Sequence, residues 1–261
     1  MAGGQSLLSL MKLRLTAPKA LIDINGVLEL SHITEKDGSI VIGSMTRHDQ
    51  LSQSSTIQTR LPLLADAAYL IADQQIRNRG TIGGSLVHAD PAADFPTACK
   101  ALGAKLTAVG SARSRSIAVE DFFQDYFTTS LDPGEIVTEI EVPLPPPRSG
   151  GAYLKLTKGH NDFAIVAVAV QLSFDNEFIC RNASVVLGGV ASIPVRAAET
   201  EHNLTSHKLD HNLVKQAAQK AAEGLNPITD FHASAEHRIK MTRRLTAKTI
   251  ELAVQRAKGS T

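Results

Sequence analysis

The sequence predicts an α+β fold in two domains. Three observations carry that reading. Helical and strand periodicities are mixed in the first half, a proline-rich break follows a cleanly alternating strand near the middle, and beyond the break two valine-rich apolar runs precede two helices.

Taken in chain order, Leu21 to Ile24 reads as a short strand and Ser39 to Gly43 as another. Leu61 to Asp73 carries apolar residues at helical spacing through Leu61, Leu64, Ala68 and Ile71. Lys105 to Val109 reads as a third short strand. Ile136, Thr138, Ile140 and Val142 alternate and stop at Pro143. The stretch Leu144 to Gly151, with three consecutive prolines and a double glycine, then reads as a linker. We therefore place domains at 1–146 and 150–258. In the second domain, Ala164 to Phe174 and Ala183 to Val190 are nearly continuous apolar runs, expected of buried strands. Asn212 to Leu225 is a helix ended near Gly224 and Pro227. Ser234 to Lys258 is a longer one, with a serine cap and Glu236 in its first turn.

Composition excludes several function classes. A length of 261 residues with 43% hydrophobic residues supports a substantial core. A formal charge of +1 and 4% aromatic residues leave no electrostatic or stacking footprint for nucleic acid. Nothing approaches the roughly 20 apolar residues needed to span a bilayer. There is no charged start followed by an apolar core of a secretory signal, so a cytoplasmic protein is expected. Cys99 and Cys180 are far apart, and two thiols cannot ligate an iron–sulfur cluster that wants four. The nine histidines show no metal-ligand spacing, so no metal site is expected.

Two short glycine runs carry the chemistry: Ala2-Gly3-Gly4-Gln5-Ser6, and Thr81-Ile82-Gly83-Gly84-Ser85 with Asp94 nine residues later. Successive backbone N–H groups without side chains in the way form a concave anion seat. A lone double glycine is most often a tight turn, but two runs and a carboxylate together suggest a dinucleotide. Neither run is a Rossmann fingerprint or a P-loop, so another fold must hold the nucleotide. Ser85, His88 and Asp90 do not read as a hydrolase triad, because no nucleophile elbow is present. His88 reads as a structural residue.

The wording RNRGTIGGSLVHADPAADFPTA at residues 77–98, with AGGQSLLSLMKLRL at 2–15 and AYLKLTKGHNDFAIVAVAV at 152–170, resembles the FAD-binding medium subunit of the molybdenum hydroxylases. The carbon monoxide dehydrogenase flavoprotein type is the nearer match and xanthine dehydrogenase a more distant one. The resemblance implies an FAD-binding domain of the vanillyl alcohol oxidase or PCMH-like type, followed by a carbon monoxide dehydrogenase flavoprotein C-terminal-like domain. It implies FAD contacts at Ala2, Gly3, Gly4, Gln5, Ser6, Thr81, Ile82, Gly83, Gly84, Ser85 and Asp94, with no catalytic side chain on this chain. Asp94 is expected at a hydroxyl-bearing part of the cofactor, since a carboxylate beside pyrophosphate would repel it. A family tyrosine near the flavin ring maps onto Tyr153, for which an ordinary half-buried tyrosine is the competing reading. Lys155, Lys158 and Asp162 form a neighbouring patch, and the lysines read better as a solvated face.

The resemblance also implies a molybdenum cofactor on a large partner subunit and [2Fe-2S] clusters on a small one. Electrons would pass through this chain's FAD to an external acceptor. Family members carry about thirty residues, including a strand, before the first glycine run, so weaker FAD retention is expected of a form lacking them. Gln5 and Ser85 stand where the family usually has a histidine and an acidic residue. Two alternatives remain at this point: a scaffold subunit that has lost FAD, and a stand-alone flavin oxidase.

Overall fold

A five-stranded antiparallel sheet and a four-stranded antiparallel sheet organise the chain, with helices packed between and behind them. The computed structural model describes residues 1–159 and 161–259. The first unit opens with α1 (Leu7–Lys12), β1 (Ile33–Lys36), β2 (Ser39–Gly43), α2 (His48–Gln53), α3 (Ser55–Arg60), α4 (Pro62–Leu70), α5 (Gln74–Arg77), α6 (Ile82–His88) and α7 (Asp94–Ala101). It continues through β3 (Lys105–Val109), β4 (Ser114–Ala118), α8 (Val119–Phe122), the small β5–β6 hairpin (Phe123–Asp125, Thr128–Thr129) and β7 (Ile136–Pro143). The second unit comprises β8 (Ser149–Leu156), β9 (Val166–Phe174), β10 (Cys180–Gly188), β11 (Val195–Arg196), α9 (Ala198–Leu204), α10 (His211–Lys220) and α11 (Ala235–Gly259).

The first sheet has the order β1-β2-β7-β3-β4, and the expected strands Ser39–Gly43 and Lys105–Val109 both flank β7 in it. The second runs β11-β10-β9-β8. Its strands read as apolar runs because both faces are covered. Ala167 and Ala169 on β9 face a cluster with Leu63 and Phe95 of the first unit. Val166, Val168 and Val170 face the other way, against Ile250 and Ala253 of α11. A strand buried on both sides loses the alternation of an ordinary antiparallel strand.

The expected strand Leu21–Ile24 is absent. Its backbone bonds to another segment go to Met1: Ile24 N donates to Met1 O at 3.2 Å and the Met1 amine donates to Ile22 O, while Ile24 O accepts from Val27 N in a local turn. One residue of pairing makes no ladder. The linker is shorter than expected, because Gly150 and Gly151 lie inside β8. Gly150 is there for close packing: a Cβ would stand 2.7 Å from the Ala257 nitrogen of α11. The expected helix Leu61–Asp73 begins with Pro62 at its first position and ends at Leu70. That expected from Asn212 to Leu225 stops at Lys220, the chain then turning through Gly224 at φ +74°. Ser234 caps α11 as expected, its hydroxyl accepting from His237 N at 3.2 Å. Among the described residues no helix is long and apolar enough to cross a membrane.

Candidate functional site

A cavity of about 530 Å³ opens between the two units. Its walls come from the first glycine run and α1, the Thr81 segment leading into α6, the start of α7, the entry to β7, and Lys155 with the 161–163 turn of the second unit. Of the residues expected to contact FAD, all line this cavity except Ile82 and Tyr153; of the neighbouring patch, Lys155 and Asp162 line it and Lys158 does not.

The two glycine runs differ in what they offer. Among the described residues, nothing accepts from the N–H groups of Gly3, Gly4, Gln5 or Ser6. The second run is the start of a helix, and its N–H groups are engaged within the protein. Ile82 N donates to Thr46 O, Gly83 N to Ser44 O at 2.9 Å, Gly84 N to the Thr81 hydroxyl at 3.1 Å, and Ser85 N to Thr81 O at 3.0 Å. Thr81 is thus an N-cap, and the expectation of two equivalent N–H cradles gives way to one open cradle and one braced wall.

The glycines serve the fit of these segments to each other. A Cβ on Gly3 would run into the Arg79 carbonyl, and one on Gly83 would lie 2.5 Å from Ser44 Cβ. Gly4 sits at φ +74°, a left-handed conformation that costs L-residues with side chains. The first run is held from outside by a side-chain chain: Arg47 Nη2 donates to Asn25 Oδ1 at 2.8 Å, and Asn25 Nδ2 donates to Ala2 O at 2.8 Å.

Asp94 opens α7 and is 5% exposed. Tyr153 donates its hydroxyl to Asp94 Oδ1 at 2.7 Å, and Lys155 Nζ lies 3.0 Å from the same oxygen. Burial pushes the Asp94 carboxyl up from its ordinary value, while the Lys155 ammonium and the Tyr153 hydroxyl pull it back down. Burial, reinforced by the Asp94 charge, lifts the Tyr153 phenol well above its usual range. Tyr153 itself is 1% exposed, its ring inside the core, so it presents no face to the cavity. The aromatic side chain that does line the cavity from the second unit is Phe163, which is exposed and which the sequence reading did not single out. Lys155 is no solvated lysine either. Its side chain is buried against Asp94, and it also donates to Asp162 O at 3.2 Å.

His48 and Ser44 add buried polarity to the wall. His48 Nδ1 and Ser44 Oγ have no hydrogen-bond partner among the described residues. Burial, with Arg47 and Arg77 nearby, lowers the His48 pKa to about 3, so its imidazole is neutral. His88, in the last turn of α6, packs its ring 5.2 Å from that of Phe127 and has no catalytic partner arrangement with Ser85. At the cavity rim Glu135 is clamped by Arg115 at 2.9 and 2.7 Å, which holds its carboxyl down to about 2. Among the described residues no group of His, Cys, Asp or Glu is arranged to hold a metal ion.

These residues fit a dinucleotide such as FAD. An open N–H run seats a diphosphate, the uncharged imidazole and hydroxyls tolerate anionic oxygens, and Asp94 lines the cavity with its own counter-charge in Lys155.

The comparisons with known proteins agree with this geometry. Residues 1–145 match the family model of the FAD binding domain in molybdopterin dehydrogenase, and residues 151–253 match that of the CO dehydrogenase flavoprotein C-terminal domain. The chain is 39% identical over 257 residues to the 6-hydroxypseudooxynicotine dehydrogenase complex subunit alpha of Paenarthrobacter nicotinovorans, covering 98% of this chain and 87% of that protein. It is 36% identical over 259 residues to the carbon monoxide dehydrogenase medium chain of Afipia carboxidovorans, covering 99% and 90%. A solved carbon monoxide dehydrogenase from Hydrogenophaga pseudoflava, lacking the Mo-pyranopterin moiety of its molybdenum cofactor, superposes with a TM-score of 0.94 at 36% identity, covering 98% of this chain and 89% of that one. With both halves matched and relatives aligned along nearly its whole length, the chain belongs to the family of FAD-binding subunits of the molybdenum hydroxylases.

Proposed function

We propose that this chain seats FAD between its two glycine segments and serves as the flavin-bearing electron-transfer subunit of a cytoplasmic three-component molybdenum hydroxylase. Electrons would arrive from [2Fe-2S] clusters on a small partner chain, downstream of a molybdenum cofactor on a large one, and leave to an external acceptor. The observation that carries this reading is the cavity walled by the N–H run of Gly3 to Ser6, unpartnered among the described residues, and by the Asp94–Lys155 pair. FAD, when bound, supplies the redox chemistry that links one-electron carriers to a two-electron acceptor.

The protein's own residues do the rest. The first run offers N–H donors to the diphosphate, and Thr81 and Ser85 add hydroxyls to the cavity wall. Neutral His48 keeps a cation off that wall. Lys155, pinned by Asp94 and Asp162, supplies a fixed positive charge at the second unit's side of the cavity. The chain's only two cysteines, Cys99 and Cys180, are both buried, which agrees with clusters carried elsewhere.

The test is to purify this chain co-expressed with a cysteine-rich small chain and a molybdopterin-type large chain. One FAD per copy of this chain, with iron and molybdenum in the same elution peak, supports the proposal. A folded, colourless protein that takes up no FAD from solution contradicts it and favours a scaffold role.

A further inference from the structure

We infer that Tyr153 is a positioning residue of the FAD site, acting through Asp94 and Lys155 rather than by touching the cofactor; the inference rests on the functional reading above. The Tyr153 ring is enclosed by core side chains and does not line the cavity, so its only route to a ligand is its hydroxyl. That hydroxyl donates to Asp94 Oδ1 at 2.7 Å. Asp94 does line the cavity, and its other partner is the Lys155 ammonium, 3.0 Å from Oδ1 and 3.2 Å from Oδ2. Lys155 in turn donates to the backbone oxygen of Asp162, whose carboxylate accepts from Gly159 N at 2.8 Å. The turn bearing Asn161, Asp162 and Phe163 on the cavity wall is therefore tied back to α7 through one ammonium group.

The arrangement follows from strand geometry. Tyr153 and Lys155 are two apart on β8 and so share a face, and the N-terminus of α7 brings Asp94 onto that face from the other unit. An ionised carboxylate is acceptor-only, and with one flexible cation and its own backbone N–H as remaining partners its plane would be less firmly set. The rigid phenol fixes that plane, and Lys155 takes its place from it. Without the hydroxyl, a buried carboxylate lacks a donor and holds its charge less well. Less of the Lys155 charge is then cancelled beside the cavity. His48, His88 and Asp90, which also line the cavity, come from α2 and the end of α6, and Glu135 from the entry to β7; among the described residues none of them bonds to Asp94.

The test uses the complex. Tyr153→Phe keeps the ring in the core and removes only the hydroxyl. We expect FAD to bind about tenfold more weakly, the loss of one hydrogen bond to a charged group, and the midpoint potential of the bound flavin to rise. Asp94→Asn should show the larger effect on both readouts. In the Asp94→Asn background, Tyr153→Phe should add little to either, because the group it acts through is gone. A tyrosine that merely fills the core predicts equal losses in both backgrounds and an unmoved potential, and that result overturns the inference. If Asp94→Asn does not fold, Asp94→Ser supplies the second background with the same expectation, since it too removes the carboxylate that the hydroxyl bonds. Unchanged affinity and potential in Tyr153→Phe, while the parent protein binds FAD, also overturns the inference but leaves the FAD site standing. A parent protein that binds no FAD overturns the functional reading, and this inference with it.

Discussion

Gly83 shows how a residue with no side chain can decide a site. A methyl there would sit 2.5 Å from Ser44 Cβ and push the start of α6 off the residue that follows β2. Gly83→Ala should therefore lower stability by about 1–3 kcal/mol, the usual cost of overpacking, and weaken FAD binding in parallel. Urea midpoints and FAD fluorescence titration check both; a variant of parental stability would show that the segments have slack. His48 makes a pH prediction. Its pKa falls from 6.5 in the unfolded chain to about 3 in the fold, so the native state binds fewer protons between those values. The stability it contributes is complete above pH 6.5 and is lost as pH falls, at about 1.4 kcal/mol per unit once the unfolded histidine is protonated. Urea unfolding at pH 7, 6 and 5 should show that slope, and His48→Gln should flatten it. Both glycine runs and Asp94 were legible in the sequence because small residues and a carboxylate so close together have few other uses. The role of Tyr153 was not. With Gly150 and Gly151 read as a linker, its strand went unseen, and so did the two-residue spacing that sets Tyr153 and Lys155 on one face of β8. Phe163 left no local signal, since one aromatic before an apolar run looks like the start of a strand.

Elements were legible where one periodicity ruled. Ser39–Gly43 and Lys105–Val109 match their strands because each is a short apolar segment bounded by turns, the first buried almost throughout and the second on alternate residues. Helices α2, α3 and α5 were missed because each is a turn or two long, with stability borrowed from packing rather than from propensity. The glycines of α6 hid a helix, because Gly is among the poorest helix formers and only the Thr81 cap and buried Ile82 and Leu86 hold it. Helix α11 shows packing at its closest. Ala253 and Ala257 are fully buried against Gly150 of β8, leaving no room for a larger residue. Ala253→Leu should cost about 1–3 kcal/mol by overpacking, read as a lower urea midpoint with an unchanged slope. The same helix is pinned to α4 by Arg256, which donates to Asp66 Oδ1 at 3.1 Å and to Gly151 O at 2.7 Å. The pair is partly exposed, so Asp66→Asn should cost only about 1 kcal/mol.

At the scale of the molecule, the two units are joined by more than a linker. Tyr153, Ala167, Ala169 and Val186 of the second unit lie in the same apolar cluster as Leu63, Phe95 and Ile140 of the first. We place the division within residues 144–148. Cleavage there should leave two fragments that co-elute and separate only in denaturant; fragments that part in plain buffer would contradict that shared core. The cavity lies between these units, which is where a ligand gains from ordering both. The central claim is that FAD is gripped by the open N–H run while the second run is a wall already bonded to itself. Residue-resolved amide hydrogen exchange, with and without FAD, tests it most directly. Exchange at Gly3, Gly4, Gln5 and Ser6 should be fast in the FAD-free protein and slow on binding, with Gly83, Gly84 and Ser85 already slow beforehand. If FAD binds and leaves the first run as fast as before, or slows both runs alike, the account is wrong.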